Sequence, residues 1–593
     1  MDKQNERIKN RHLMIRFLSG SKRFFIAGMI CACFVAFFDL INPKIIQYFV
    51  DALVGTPASA SSGLMRYIRS LSVAKNYSAM AALVVVMAMA AAAFRYAFQY
   101  LNAKGAEALT RRMRDLLFEH LTRTTAAWRS AHRSGDLLQR CTSDVETIKV
   151  FVSEQMTKLF QILLMIAFSL YFMISIHPVL ALIAAAYIPV MVGGSIYFHR
   201  RIGESFETVD REEGKLSAIV QENLTGVRVV RAFGKEAYEQ ERFKKQNHGY
   251  TNLWVHLMKI MASFWVSGNV IATLRDLIVM SAGIIFCVNG SLTAGEFTAF
   301  ISYNALLAMP VRGLGRIIAE LSKAGISLGR LREIMEAPTE PETGTAKPNM
   351  NQTISFNHVS FAYRKQMVLE DVSMVIPAGA TIGIFGATGS GKSTLAMLLD
   401  RFYEPDRGTI TIGGTPLSEI ERSWLRDHVG IVSQEPYLFS GTLKDNILLA
   451  ADQTSAIDHV TAMAGLTHTV ETFPQGYETY VGQRGITLSG GQKQRTAIAQ
   501  MLIRRTPIMI FDDSFSALDA ETDEAIRRRL RAEPQSATRI YISHRVATLM
   551  HADRIYVLDH GRIVEQGTHE ELIRQGGLYA KSAALQMRGE EKQ

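Results

Sequence analysis

Apolar residues dominate six stretches of the first half of the chain, at about 23–46, 78–101, 155–176, 178–198, 261–288 and 296–318. A helix that crosses a bilayer needs about 20 such residues, so the pattern predicts six membrane helices. Only Ile176, His177 and Pro178 divide the third stretch from the fourth, which predicts a tight hairpin facing the outside. Between the stretches, Ala106–Thr124 and Glu204–Gln240 mix charged and apolar residues at helical spacing and contain no proline. A helical extension of about 25 residues reaches about 38 Å. The membrane helices are therefore expected to run on far into the cytoplasm, as levers that touch a cytoplasmic domain. From Glu336 to Pro348 prolines and polar residues end the helical pattern. Beyond them short β-rich runs (354–356, 382–385, 409–412, 429–432, 508–511, 539–542, 554–557) alternate with helical patterns, the mark of an α/β domain. The expected organisation is an all-α, six-helix transmembrane domain over 1–335, a linker over 336–351 and an α/β domain over 352–593.

Charge orients this plan. Residues 102–154 include Arg111, Arg112, Arg114, Arg129, Arg133 and Arg140, and residues 199–257 include Arg200, Arg201, Arg211, Arg228, Arg231 and Lys235. The 51–77 loop has only Arg66, Arg69 and Lys75, and the 289–295 loop has no basic residue. Because basic loops stay inside, both termini and both long loops are expected in the cytoplasm. Lys3, Arg7, Lys9, Arg11, Arg16, Lys22 and Arg23 are interrupted by Asp2 and Glu6, and the apolar stretch after them is too long for a cleaved signal. With no organelle-targeting segment visible, the plasma (inner) membrane is the expected location.

Composition narrows the class. The 593 residues hold 65 Lys plus Arg against 55 Asp plus Glu, a net charge of +10, with 48% hydrophobic and only 20% charged residues. That balance excludes global disorder and fits a membrane protein better than a nucleic-acid binder. A single core rarely exceeds about 250–300 residues, so at least two domains are required. Cys31, Cys33, Cys141 and Cys287 show neither a disulfide framework nor metal-type pairing.

The chemistry sits in the second half. Gly386-Ala-Thr388-Gly389-Ser-Gly391-Lys392-Ser393-Thr394 is a complete P-loop between the strand Ile382–Phe385 and an expected helix Leu395–Phe402. Its glycines let backbone N–H groups approach phosphate oxygens, and the helix N-terminus favours negative charge. Lys392 should reach the β- and γ-phosphates of ATP, and the Ser393 hydroxyl should ligate Mg²⁺. Ile508–Phe511 followed by Asp512 is a Walker B pattern, whose carboxylate would hold the same ion.

Between these elements lies Leu488-Ser489-Gly490-Gly491-Gln492, ahead of an expected helix Lys493–Ile503. In this order the segment resembles the signature motif of ATP-binding cassette (ABC) transporters, and the resemblance covers essentially the whole chain. It implies that Tyr363 stacks on adenine, that Gln434 reaches the metal, and that Asp519 belongs to the D-loop. It also implies that His544 is the switch histidine near the γ-phosphate. Six helices and one cassette look like a half-transporter of the type IV exporter class, and 135–144 and 222–233 resemble its cytoplasmic coupling loops.

In that family a glutamate follows the Walker B aspartate and polarises the attacking water, whereas Asp513 stands here. The shorter side chain moves the carboxylate by about 1.5 Å. A misplacement of about 1 Å costs on the order of 100-fold, or about 2.7 kcal/mol. Family architecture builds each ATP site from the P-loop of one chain and the signature of another. A weak base beside an intact Ser489, Gly491 and Gln492 therefore points to one half of a heterodimer, whose partner carries the glutamate. A slow homodimer and a hydrolytically weak regulatory subunit are the alternatives. The resemblance implies hydrophobic compounds as cargo, with lipids or peptides next. Gln483 replaces a frequent family glutamate. Arg95, Arg275, Asp276 and Arg312, inside membrane stretches, fit either ion pairs or a polar path in which Asp276 receives a cationic compound.

Overall fold

The computed structural model describes residues 10, 12–55, 77–341, 343–449, 456–533 and 537–590. The loop charges Arg66, Arg69 and Lys75 and the N-terminal Lys3, Arg7, Lys9 and Arg11 lie outside the described residues. The chain divides into two compact units, Met1–Thr124 with Ala131–Pro338 and Thr125–Ser130 with Thr339–Gln593.

The first unit is helical. Its long helices are α1 (Lys22–Val54), α2 (Tyr77–Arg123), α3 (Thr157–Ile176), α4 (Pro178–Ala185), α5 (Tyr187–Thr225), α6 (Glu236–Val288) and α7 (Ala294–Met335). Among the described residues, five helical stretches, beginning at Lys22, Ala81, Ser134, Pro178 and Glu236, are long and apolar enough to cross a membrane. The sixth expected stretch lies in α7, whose middle is buried. Phe300, Tyr303 and Leu307 pack there with Leu40, Met173, Leu180, Ala184 and Val279, and the Tyr303 hydroxyl donates to the Leu40 carbonyl at 2.7 Å. His177 caps α4, its ring nitrogen accepting from the Leu180 N–H at 3.2 Å, and Pro178 fills the first helical position. Ser195 and Gly315 let α5 and α7 touch, since a Cβ on Gly315 would stand 2.2 Å from the Ser195 hydroxyl.

The expected helix Glu204–Gln240 is broken. α5 stops at Thr225, a short helix covers Val227–Ala232, and Gly234 at φ 58° lets the chain reverse before α6. Helical spacing continues through this turn, but two glycines, Gly226 and Gly234, remove the local preference for helix.

The second unit is α/β. A six-stranded sheet has the order β12-β11-β3-β10-β9-β6, parallel except at its β12 edge. Its strands are β3 (Thr381–Phe385), β6 (Val429–Val432), β9 (Ile508–Asp512), β10 (Thr538–Ser543), β11 (Arg554–Asp559) and β12 (Arg562–Gly567). A second sheet, β2-β1-β4-β5, is antiparallel and comprises β1 (Ile354–Tyr363), β2 (Gln366–Ile376), β4 (Arg407–Ile412) and β5 (Thr415–Pro416). A small hairpin pairs β7 (Gly441–Thr442) with β8 (Tyr480–Val481).

The parallel strands are apolar throughout because both faces are covered. Ile382, Ile384, Ile508, Ile510, Ile540 and Ile542 enter one core, shared with the antiparallel sheet. Their neighbours Phe385, Met509, Phe511 and Tyr541 enter the other, beneath helices. Five strands lie outside the expected runs: β2 and β12, whose exposed faces carry polar residues such as Glu370, Ser373 and Gln566, and the two-residue strands β5, β7 and β8.

Candidate functional site

Parallel strands place their C-terminal ends together, and the chemistry gathers where β3 and β9 end. After β3 the chain enters the P-loop, with Gly389 at φ 85° and Gly391 at φ 102°, before α8 (Lys392–Leu399). Only glycine fits at Gly386 and Gly391, where a Cβ would meet the Leu558 carbonyl at 2.3 Å and Leu369 at 2.8 Å. The helix therefore starts three residues earlier than the apolar pattern suggested, at the lysine itself.

Lys392 folds back over this loop, its Nζ donating to the Gly386 and Ala387 carbonyls at 2.8 and 2.7 Å. Burial pushes its ammonium pKa down, against the pull of Asp513 and Asp512. The Ser393 hydroxyl donates to Asp512 Oδ1 at 3.0 Å. Burial pushes the Asp512 carboxyl up; the Ser393 bond opposes this, the Asp513 charge adds to it, and Lys392 opposes it. Ser393 and Asp512 thus form a hydroxyl–carboxylate pair beside an anion cradle, the donor set that suits Mg²⁺ when phosphates supply further ligands. Among the described residues no cluster of three His, Cys, Asp or Glu could hold a metal by itself. Thr394 follows in the first turn of α8, and the Tyr363 hydroxyl lies 3.5 Å from its Oγ1, with the Tyr363 ring edge-on to Tyr403.

Asp513 sits at φ 46°, a left-handed conformation that the short aspartate tolerates. Its N–H donates to the Ile542 carbonyl at 2.8 Å, pinning it to β10. Its Oδ2 lies 3.1 Å from His544 Nδ1 and 3.5 Å from Gln434 Nε2, and its Oδ1 lies 3.4 Å from the Ser543 hydroxyl. The carboxylate is only 12% exposed, whereas the imidazole is half open. Three residues assigned on resemblance, Gln434, Asp513 and His544, thus meet at one carboxylate.

The signature segment lies elsewhere in its hydrogen bonding. Ser489 and Gln492 form a reciprocal cap on α9 (Gly490–Leu502), with Ser489 N–H donating to Gln492 Oε1 at 2.9 Å. Asp519 caps α10 (Ala520–Ala532) by accepting from Thr522 N–H at 2.8 Å. Gly491 brings α9 against Ala517, whose carbonyl would lie 3.2 Å from a Cβ.

Three supporting residues escaped the sequence reading. Buried Gln494 accepts from the Ala517 N–H at 3.0 Å and so fixes the turn ahead of Asp519. Arg545 donates to the Ser516 carbonyl at 3.1 Å, and Gln586 donates to the His544 carbonyl at 2.8 Å. A polar Gln494 on the apolar face of α9 was the one available signal. Gln483 is exposed in the turn Gln483–Gly485, and nothing in the structure explains its replacing a glutamate. Arg95 pairs with Asp39 at 2.9 Å, linking α2 to α1.

A P-loop α/β unit after a set of membrane-length helices defines a nucleotide-dependent membrane protein. Residues 25–311 match the family of the ABC transporter transmembrane region, and residues 369–516 match the ABC transporter family. The chain is 33% identical to an uncharacterized ABC transporter ATP-binding protein of Bacillus subtilis, YwjA, over 92% of this chain and 93% of that one. It is 31% identical to the ATP-dependent lipid A-core flippase of Pseudomonas fluorescens, over 91% of this chain and 90% of that one. Its fold matches a bacterial Atm1-family ABC exporter solved with ATP bound, with a TM-score of 0.79 and 25% identity over 96% of this chain and 99% of that chain. The chain belongs to the ABC transporter family, as a membrane-spanning exporter half with its own ATP-binding domain.

Proposed function

We propose that this chain is one half of a heterodimeric exporter that moves hydrophobic compounds across the plasma (inner) membrane, with both termini in the cytoplasm. In this reading Tyr363 stacks on adenine. Gly386, Thr388, Gly389, Gly391, Lys392 and Thr394 bind the phosphates, and Ser393, Asp512 and Gln434 hold Mg²⁺. Bound ATP with Mg²⁺ supplies the phosphoryl group that is transferred to water. Asp513 and His544 orient that water at this chain's own site. Ser489, Gly491, Gln492 and Asp519 complete the ATP site of a second half-transporter, a different chain bearing a Walker B glutamate. ATP closes the paired cassettes, and transport follows because ATP binds the closed state more tightly than the open one.

The observation that carries this reading is the placement of the Asp513 carboxylate. It is already engaged by His544, Ser543 and Gln434, close to its own strand. A glutamate would reach about 1.5 Å further into the cleft. The test compares ATP turnover of the purified complex for the wild type and Asp513→Asn. Turnover within about twofold is expected, because the partner's site carries the cycle. A loss of about 100-fold would make Asp513 the working base and favour a homodimer. Relatives named as lipid A-core flippases favour a second reading, a homodimeric lipid flippase.

A further inference from the structure

The membrane stretches hold buried polar groups that ATP chemistry leaves unused. Arg275 on α6 is 6% exposed and Arg312 on α7 is 8% exposed. Arg275 donates to Asp276 Oδ1 from Nη2 at 2.6 Å and Nε at 3.0 Å, and Asn304 Nδ2 donates to the same oxygen at 2.7 Å. Asp276 is therefore neutralised where it stands, which removes the basis for its receiving a cationic compound. Arg312 has no such partner among the described residues. Its guanidinium lies against Gly268, where a Cβ would stand 3.3 Å from Nε, and 5.4 Å from the Trp265 ring centroid.

These groups converge on one phenol. Gly268 and Arg275 are two turns apart on α6, about 10 Å along its axis. Between them Ile271 and Ala272 pack with Tyr187, Met191 and Val311. The Arg275 guanidinium stands 4.4 Å from the Tyr187 ring centroid, and Tyr187 lies within electrostatic reach of Arg275, Arg312 and Asp276. Two cations and one carboxylate leave a net positive charge around it. Four buried polar atoms of the group lack a hydrogen-bond partner among the described residues: Tyr187 Oη, Arg275 Nη1, Asn304 Oδ1 and Arg312 Nε.

An unbalanced cation and unmade hydrogen bonds at membrane depth are costly, and such residues face a path or a missing partner. Three of the four free atoms are donors, two of them on guanidiniums, whose planar forks match oxyanions. The fourth, Asn304 Oδ1, can accept from a protonated phosphate oxygen. We propose that Tyr187, Arg275, Asn304 and Arg312 bind the phosphate or carboxylate headgroup of an amphipathic anion, and that this is the class of cargo. Trp265 and Tyr187 supply aromatic surface beside the headgroup. This inference rests on the export reading.

The test uses the chain with whatever partner it assembles with, in nanodiscs, titrated with dodecyl phosphate, dodecyltrimethylammonium and inorganic phosphate. Vesicles then report ATP-driven transport of the two amphiphiles. Dodecyl phosphate is expected to bind and be transported, and Arg312→Gln should weaken its binding about tenfold or more, Arg312→Lys less. If the arginine variants fail to fold, Tyr187→Phe and Asn304→Leu should still weaken it. Tighter binding of the ammonium, or unchanged affinity in Arg312→Gln, overturns the proposal. Inorganic phosphate binding as well as dodecyl phosphate overturns its amphipathic part. ATP-driven transport of the cation alone, or of neither amphiphile, sinks this inference and leaves the export reading standing, whereas the absence of ATP-driven transport of any hydrophobic probe, a neutral dye included, sinks the export reading.

Discussion

The P-loop and the signature segment belong to one nucleotide-binding unit, yet their polar groups are disposed differently. Around the P-loop, residues far apart in sequence meet: Ser393 with Asp512, Gln434 and His544 with Asp513. Around the signature, the side chains of Ser489, Gln492 and Asp519 bond, among the described residues, only to backbone groups three residues away, as helix caps. Long-range contacts assemble the proposed phosphate and metal cradle inside the chain. Local caps merely present a helix N-terminus, which has use when another molecule brings phosphate to it. The contrast fits the proposed site shared between two chains.

Variants can break this contrast, beginning where the effect is largest. Lys392→Ala removes the Lys392 ammonium from the cradle and should weaken ATP binding by the purified chain on the order of 100-fold or more, read by nucleotide titration. Asp513→Glu restores reach and should raise hydrolysis at this chain's own site by up to about 100-fold, seen in single-turnover assays. Asp400, just past α8, is the next test. Burial pushes its carboxyl from the usual 3.8 up to about 7, although Arg426 and Arg504 oppose this. A raised carboxyl pKa means that the folded state holds the proton more tightly. Its stabilising contribution is present below pH 3.8 and is lost as pH rises toward 7. Asp400→Asn should remove that slope and stabilise the chain at pH 7 by on the order of 2 kcal/mol, followed by thermal unfolding across pH. Ser489→Ala sharpens the comparison with the smallest effect on stability, about 1 kcal/mol for a lost cap. It should leave ATP binding by the isolated chain unchanged while lowering turnover of the assembled complex.

Much of this was legible in the sequence. The P-loop, the Walker B strand and the membrane stretches are local patterns, and they announce themselves as apolar runs and fixed spacings. The Gly226 break was not, because helical periodicity persists on both sides of the turn. Nor was the second partner of Asp276, the Asn304 amide donated from another helix. Gln494 and Gln586 were missed for the same reason: each acts through a backbone group in a distant segment. Patterns within one element can be read directly, whereas pairings across elements require the fold.

The most direct test is native mass analysis of the chain purified from its own membrane, with ATP hydrolysis measured for the chain expressed alone. A mixed dimer with a second half-transporter bearing a Walker B glutamate is expected, with little hydrolysis by this chain by itself. A homodimer that hydrolyses ATP briskly would contradict it.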